Sequence, residues 1–398
     1  MENKHGFALV GIAGAAFLGP FTQTVYTPNL PELQRFFDVN TVLINLTISL
    51  FTAILAVSGF VVGPLADVRG RRGVLLPGLL VFAAGSVICM SSGSYSLFLF
   101  GRAVQACGIS TALVVAPTVV GDLYAPALRA RAMSVYQTVS FLGPVLGPVA
   151  GGFIAAHLSW RWAFALLVVG AMIAWLYNYL RLPETMPRSA TRSRITWRTF
   201  ATVLGNRSAL SIVLVAFSQF YGYYAFLVFL PALLDRLFPA SSAMKGMFFV
   251  PLTAGILLGI TVGARWQRWS SRTRILSTCS YGLASVVLAL WIGLVAGLMG
   301  PIALLAILLA YGMLLGCSLP VQSTILVNLF VKDRGTAMGI YNFLRFTGAA
   351  IGPMAGAAIA IAWHVDAVFL NVAILLAISA VLIHRHLYDP AEQAALRG

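Results

Sequence analysis

AMSVYQTVSFLGPVLGPVAGG at residues 132–152 lines up with AMGIYNFLRFTGAAIGPMAGA at 337–357, at a constant offset of 205. Each copy has the length that crosses the hydrocarbon of a bilayer as a helix, about 20 residues. The chain after each copy also continues alike, with Trp160 before Arg161 and Trp363 before His364. A membrane-length segment that occurs twice implies a duplicated bundle, a hallmark of secondary transporters.

Working outward from the two copies, apolar stretches of the same kind recur. They lie near residues 7–30, 42–66, 74–92, 97–121, 132–156, 162–180, 208–234, 246–264, 275–297, 301–330, 336–362 and 366–383. Helices suit them better than strands. A membrane strand is about 10 residues of alternating polarity, whereas these runs are longer and apolar all round. A helix also satisfies its own backbone, which lipid cannot do. Composition agrees, since 60% of the 398 residues are hydrophobic and 9% are charged, against about 25% charged in a soluble domain. The expected fold is an all-α integral membrane protein of twelve transmembrane helices in two pseudo-symmetric six-helix bundles. Residues 1–180 form the first bundle, 181–207 a linker with six Arg, and 208–398 the second bundle. The linker has the composition of a segment that could carry a short amphipathic helix on the membrane surface.

A formal net charge of +15 invites a nucleic-acid reading, but its distribution argues for topology. Of the 26 Lys and Arg, 20 fall in loops that alternating spans place on one side. Arg35, Arg161, Arg236 and Lys245 fall on the other, and Arg102 and Arg345 lie inside spans. Positive loops stay in the cytoplasm, so both termini are expected there. Cys89, Cys107, Cys279 and Cys317 all lie in spans with no metal-ligand spacing and read as small apolar packing residues. The apolar start after Lys4 imitates a signal peptide, but eleven further spans make it the first span.

GPLADVRGRR at 63–72 joins spans 2 and 3. Asp67 and Arg71 are four apart and share one side of a helical turn, while Gly63 and Gly70 permit close approach and turning. GPVLGPVAGG at 143–152 sets Gly143, Gly147 and Gly151 on one face, a spacing that lets helices pack closely; Gly152 follows, and Pro144 and Pro148 each remove a backbone donor. WRWAF at 160–164 begins span 6, and LFGRAVQACG at 99–108 places Arg102 three residues before Gln105.

These stretches resemble the major facilitator superfamily and, through the 143–152 signature, its twelve-span drug:proton antiporter branch. The 63–72 loop matches the family's G-x-L-x-D-R-x-G-R-R pattern at Gly63, Leu65, Asp67, Gly70, Arg71 and Arg72, with its first Arg displaced to Arg69. The resemblance implies a charge relay of Asp67, Arg71 and Asp122, with Arg131 joining it, that latches the halves when the transporter faces outward. It also implies a close-packed seam at 143–152 where the halves rock, and a cavity faced by Arg102 and Gln105. The equivalent loop of the second half, ARWQRWSSRTR at 264–274, has no acid.

Ionisable groups inside spans cost about 2.5–3.5 kcal/mol on insertion scales and are functional by default. Arg102 either faces a cavity or reaches back to the outer interface. Arg345 lies about nine residues into span 11, roughly 14 Å along the helix, where snorkelling is difficult; it serves a ligand or is held by carbonyls or Asn342. None of the eleven Asp and Glu lies mid-span. Thr24 stands where drug exporters of this branch often carry the acid of D-x-Y-x-P, so the usual proton-carrying carboxylate is missing. Positive charge without a central acid attracts anions in a low dielectric, and the planar fork of Arg suits carboxylate. Gln219, Phe220, Tyr223 and Tyr224 offer aromatic faces with polar tips, or serve as interfacial belt residues. Gln23, Tyr26, Asn45, Gln137, Gln322, Tyr341 and Asn342 are further candidate substrate contacts, or bonds between helices.

The expectation is therefore a secondary active exporter of small amphipathic molecules working by alternating access, its Arg residues favouring anionic or zwitterionic substrates. Two variants stay open: a broad multidrug:proton antiporter for lipophilic cations and neutral drugs, and a dedicated exporter of a metallophore or metabolite. The expected partners are a small-molecule substrate and the lipid bilayer, with a proton as candidate coupling ion. No catalytic residue, metal, cofactor or nucleic acid is expected. The protein is expected to be a monomer in a bacterial-type inner (plasma) membrane. An enzyme is disfavoured because His5, His157, His364, His384 and His386 sit at span ends without a nucleophile or acid pair. GxxxxGK[ST], the phosphate loop of ATP-driven pumps, is missing too.

Overall fold

Polar caps and prolines decide where the helices begin. Asn40, Ser94, Asn206 and Ser271 each accept a hydrogen bond from the backbone three residues on, satisfying donors that the first helical turn leaves unpaired. A computed structural model describes residues 2–186, 197–238 and 242–392. Its helices are α1 Glu2–Thr24, α2 Leu30–Phe37, α3 Thr41–Arg69, α4 Arg71–Ser91, α5 Tyr95–Leu123, α6 Pro126–His157, α7 Arg161–Arg181, α8 Trp197–Gly205, α9 Arg207–Leu237, α10 Ser242–Trp266, α11 Arg272–Val295, α12 Pro301–Leu329, α13 Arg334–Ala362 and α14 Val365–His386. No strand occurs among the described residues. Twelve of the helical segments are long and apolar enough to cross a membrane, so the chain is an all-α, multi-pass membrane protein. Arg188, Arg192, Arg194 and Arg397 lie outside the described residues.

The first span differs in detail from the sequence expectation. Its long helix stops at Thr24, and a 3-10 turn at Thr27–Asn29 leads into α2. Pro28 and Pro31 lack the amide hydrogens that would carry α1 onward.

The chain divides into two compact units, residues 1–200 with 330–343 and residues 201–329 with 344–398. The border in the middle of the chain lies inside α8, and the start of α13 belongs to the first unit. Within the first unit α4 packs on α5 and α7, α3 on α5, and α1 on α5, α6 and α7. Within the second unit α11 packs on α12 and α14, α10 on α12, and α9 on α14. Shifting by the sequence repeat turns one list into most of the other.

Close packing comes from glycine. A Cβ at Gly143, Gly147 or Gly151 would collide with Phe21, Thr24 or Val25, so this stripe presses α6 onto α1 and its continuation. The stripe therefore packs inside the first unit, its small face on α1 and the turn that follows it. Gly152 lies off the stripe and meets nothing, and α6 runs unbroken through Pro144 and Pro148. In the second unit Gly348 and Gly352 repeat the device, pressing α13 onto α9 at Phe217 and Tyr221.

Candidate functional site

Three polar clusters stand out against the apolar helices. The first gathers at one end of the first unit, around the 63–72 loop. Arg71 donates through Nη1 to Asp67 Oδ1 at 2.7 Å and through Nε to Asp122 Oδ2 at 3.0 Å. Asp122 Oδ1 takes Arg334 Nη1 at 2.6 Å. Asp67 accepts from the backbone of Gly335 at 2.9 Å and Thr336 at 2.7 Å, and from Thr336 Oγ1 at 2.8 Å. It therefore caps α13 from another helix, placing negative charge at the positive end of the helix dipole. All four charged side chains are buried.

Beside this network, Glu184 accepts from the amides of Arg71 at 2.9 Å and Arg72 at 3.2 Å, capping α4 in the same way. Gly70 makes this possible: its φ is +90°, and a Cβ there would strike the Glu184 carboxylate. Arg72 also donates to Tyr179 O at 2.7 Å. Asp67, Arg71 and Asp122 are thus brought together as the sequence led us to expect. Arg131 is not with them: it is exposed on α6, and Arg334 occupies the position expected for it. Sequence reading missed Arg334, counted only as a loop charge, and Glu184, which sits at the end of the sixth span without a motif of its own. Burial, and then the nearby Asp67, push the Asp333 carboxyl above its ordinary range, against Lys332 and Arg71, which pull it down.

The second unit carries a counterpart. Arg272, the first residue of α11, pairs through Nε with Asp389 Oδ2 at 2.5 Å, and Asn328 donates to Asp389 at 3.2 Å. Glu392 accepts from the amide of Arg272 and from Thr273 Oγ1. The 264–274 loop indeed lacks an acid, but the acids arrive from the segment after α14. Asp389 follows Glu184 by 205 residues (389 minus 184), the offset of the repeat.

The second cluster lies inside the first unit. Arg102 on α5 is 0% exposed. Its guanidinium lies 4.3 Å from the ring centroids of both Tyr26 and Phe51. Nη1 donates to Gln105 Oε1 at 2.9 Å, and Gln105 Nε2 donates to Ser86 Oγ at 2.7 Å. Nε and Nη2 have no protein acceptor. Snorkelling is excluded, since the side chain is packed within helices instead of reaching an interface. Arg102, Gln105 and Tyr26 are together as expected; Phe51 and Ser86 are additions that no sequence pattern marked.

The third cluster lies inside the second unit. Arg345 on α13 is 7% exposed, 4.6 Å from the Phe220 ring and 4.9 Å from Phe346. Tyr223 and Tyr224 pack on Phe220 at centroid distances of 6.1 and 6.4 Å. One residue along α9, Gln219 Oε1 accepts from Ser318 at 3.0 Å and Gln322 at 2.8 Å, and Tyr311 donates to the Gln219 carbonyl at 3.1 Å. Arg345, Gln219, Phe220, Tyr223, Tyr224 and Gln322 thus form one region, joined by Tyr311, Ser318 and Phe346. Phe220 and Tyr223 are buried and Tyr224 is half-buried. Of the other candidates, Asn342 donates to Leu113 O at 3.1 Å in the first unit, Tyr341 and Gln137 are buried, Gln23 is half-buried and Asn45 is exposed.

Comparison with known proteins settles the family. The sequence profile of the Major Facilitator Superfamily matches residues 12–316 and 293–397. The chain belongs to the Major Facilitator Superfamily. This facilitator is 25% identical over 399 residues to the uncharacterized MFS-type transporter YwfA of Bacillus subtilis, covering 96% of this chain and 93% of that one. It is 25% identical over 255 residues, 64% of each chain, to multidrug resistance protein D of Escherichia coli. With fungal relatives the match is shorter: multidrug transporter AQR1 of Candida glabrata is 29% identical over 174 residues, 44% of this chain and 29% of that protein. Among solved structures, the human organic anion transporter MFSD10 superposes with a TM-score of 0.80 at 20% identity, covering 95% of this chain and 99% of that one. The proton:xylose symporter XylE does so with a TM-score of 0.80 at 16% identity, covering 98% and 97%. These likenesses establish a facilitator-type transporter fold.

Proposed function

We propose that this facilitator is a secondary active exporter of small amphipathic molecules, working by alternating access and favouring anionic or zwitterionic substrates. The observation that carries the reading is Arg345: a guanidinium buried in a span among Phe220, Phe346 and Tyr224, with the amide-rich Gln219 region alongside. Positive charge in a low-dielectric site attracts anions, and aromatic walls suit an apolar body. MFSD10, an organic anion transporter, is in keeping with this; XylE, a proton:xylose symporter, is in keeping with a proton as coupling ion. The Asp67–Arg71–Asp122–Arg334 network is read as a latch that opens and closes in each cycle. The positive loops, the network among them, would face the cytoplasm from a bacterial inner membrane, with both termini on that side.

A second reading, a broad multidrug:proton antiporter, is favoured by the 143–152 signature and by relatives named as multidrug transporters. Transport in proteoliposomes under an imposed pH gradient separates the two. Carboxylate-bearing compounds should move in wild type, and Arg345→Ala should slow them at least about tenfold, the scale of one lost charge-assisted contact. Movement of cationic dyes with no sensitivity to Arg345 would instead support the multidrug reading and make Arg345 structural.

A further inference from the structure

We propose that the Nε/Nη2 edge of Arg102 is a binding site for a carboxylate or similar planar oxyanion, contained within the first unit. Three observations carry it. First, Nε–H and the neighbouring Nη2–H run side by side, and this edge of an Arg is the fork that takes two oxygens of a planar oxyanion at once. In this fully buried side chain both nitrogens lack a protein acceptor.

Second, the polar neighbours are neutral and already engaged. Gln105 takes Nη1 with its oxygen and uses its nitrogen on Ser86; Ser86 donates to Phe82 O at 2.8 Å. Tyr26 shares its hydroxyl with Thr47, whose own proton goes to Ile44 O at 2.7 Å. None can turn to the free edge without giving up a bond. Third, no carboxylate pairs with Arg102 among the described residues. The two ring contacts offset only part of the burial of a charge. A bound oxyanion would satisfy both donors and the charge together, with Tyr26 and Phe51 as apolar walls.

The site goes beyond the export reading, because the oxyanion could be the head of a transported molecule or a free small ion. Both share the chemistry. The test uses the purified full-length protein, its thermal-unfolding midpoint followed as acetate, benzoate, chloride or benzamide is added at constant ionic strength. Acetate and benzoate should raise the midpoint, while chloride, a point charge, and benzamide, a neutral shape mimic, should not. Arg102→Lys keeps the charge and removes the fork, and should weaken carboxylate binding at least about tenfold. Equal stabilisation by chloride, or a lysine variant that binds as wild type does, overturns the proposal. Should the lysine variant fail to fold, the anion series on wild type still decides. Benzoate counterflow in proteoliposomes marks the oxyanion as part of the cargo; binding without counterflow marks a free-ion site. Carboxylate binding that persists in a protein unable to export any anion would overturn the export reading and leave this site standing.

Discussion

Asp122 holds two buried arginines at once, Arg71 and Arg334. Breaking a buried pair from one side costs about 3–5 kcal/mol, because it strands a charge. Asp122→Asn weakens both pairs at once and should destabilise by about 3 kcal/mol, read from chemical unfolding. Arg131→Ala, on an exposed residue apart from the network, should leave that midpoint unchanged. Asp333 carries the pH dependence of this region. Its folded-state carboxyl is raised, so the folded protein keeps this proton to higher pH than the unfolded chain does. Its contribution to stability therefore falls as pH rises from the ordinary carboxylate value through the folded one. Asp333→Asn should flatten that slope and stabilise the protein at neutral pH; a steeper slope in the variant would contradict the assignment.

At the scale of elements, α3 and the start of α13 meet backbone to backbone. A Cβ on Gly63 would lie 3.0 Å from Thr336 Cα, and Gly335 and Gly339 meet the carbonyls of Gly63 and Gly59 in turn. Two backbones touch over one helical turn, which is what brings Thr336 within reach of Asp67. Gly63→Ala should cost about 1–3 kcal/mol as overpacking, and Gly335→Ala added to it should cost less than the sum, since either substitution alone already separates the helices. The sequence displayed this chemistry only in part. Gly143, Gly147 and Gly151 announce a close-packed face by their spacing, but spacing does not name the partner, which proved to be α1. Likewise Asp67 and Arg71 are legible as neighbours on one turn, whereas Asp122, 55 residues beyond Asp67 (122 minus 67), was placed through resemblance. Arg334 looked like any other loop charge, because long-range pairing leaves no local pattern.

On the scale of the molecule, the duplication seen at 132–152 and 337–357 extends to contacts that sequence comparison could not show. The second unit builds its charged cluster from Arg272, Asp389 and Glu392 although its loop has no acid. Asp389→Ala should leave Arg272 only the more distant Glu392 carboxylate, at 3.9 Å, and lower stability by about 1–3 kcal/mol, measurable as a lower midpoint in detergent. The spans could be read because lipid demands long apolar helices whatever their neighbours. The membership of the Arg102 and Arg345 clusters could not, because Phe51 and Phe346 look like any apolar residue until the helices are packed. The placement of Glu184 and Asp389 has a consequence for how the protein is made. Each cap for a loop's arginine comes from the segment after the last span of its repeat, so α4 emerges from the ribosome well before the carboxylate that caps it. Neither Arg71 nor Arg272 can complete its set of partners until α7 or α14, respectively, has been synthesised and threaded across the bilayer, so neither loop is fully held before the last span of its own repeat is in place.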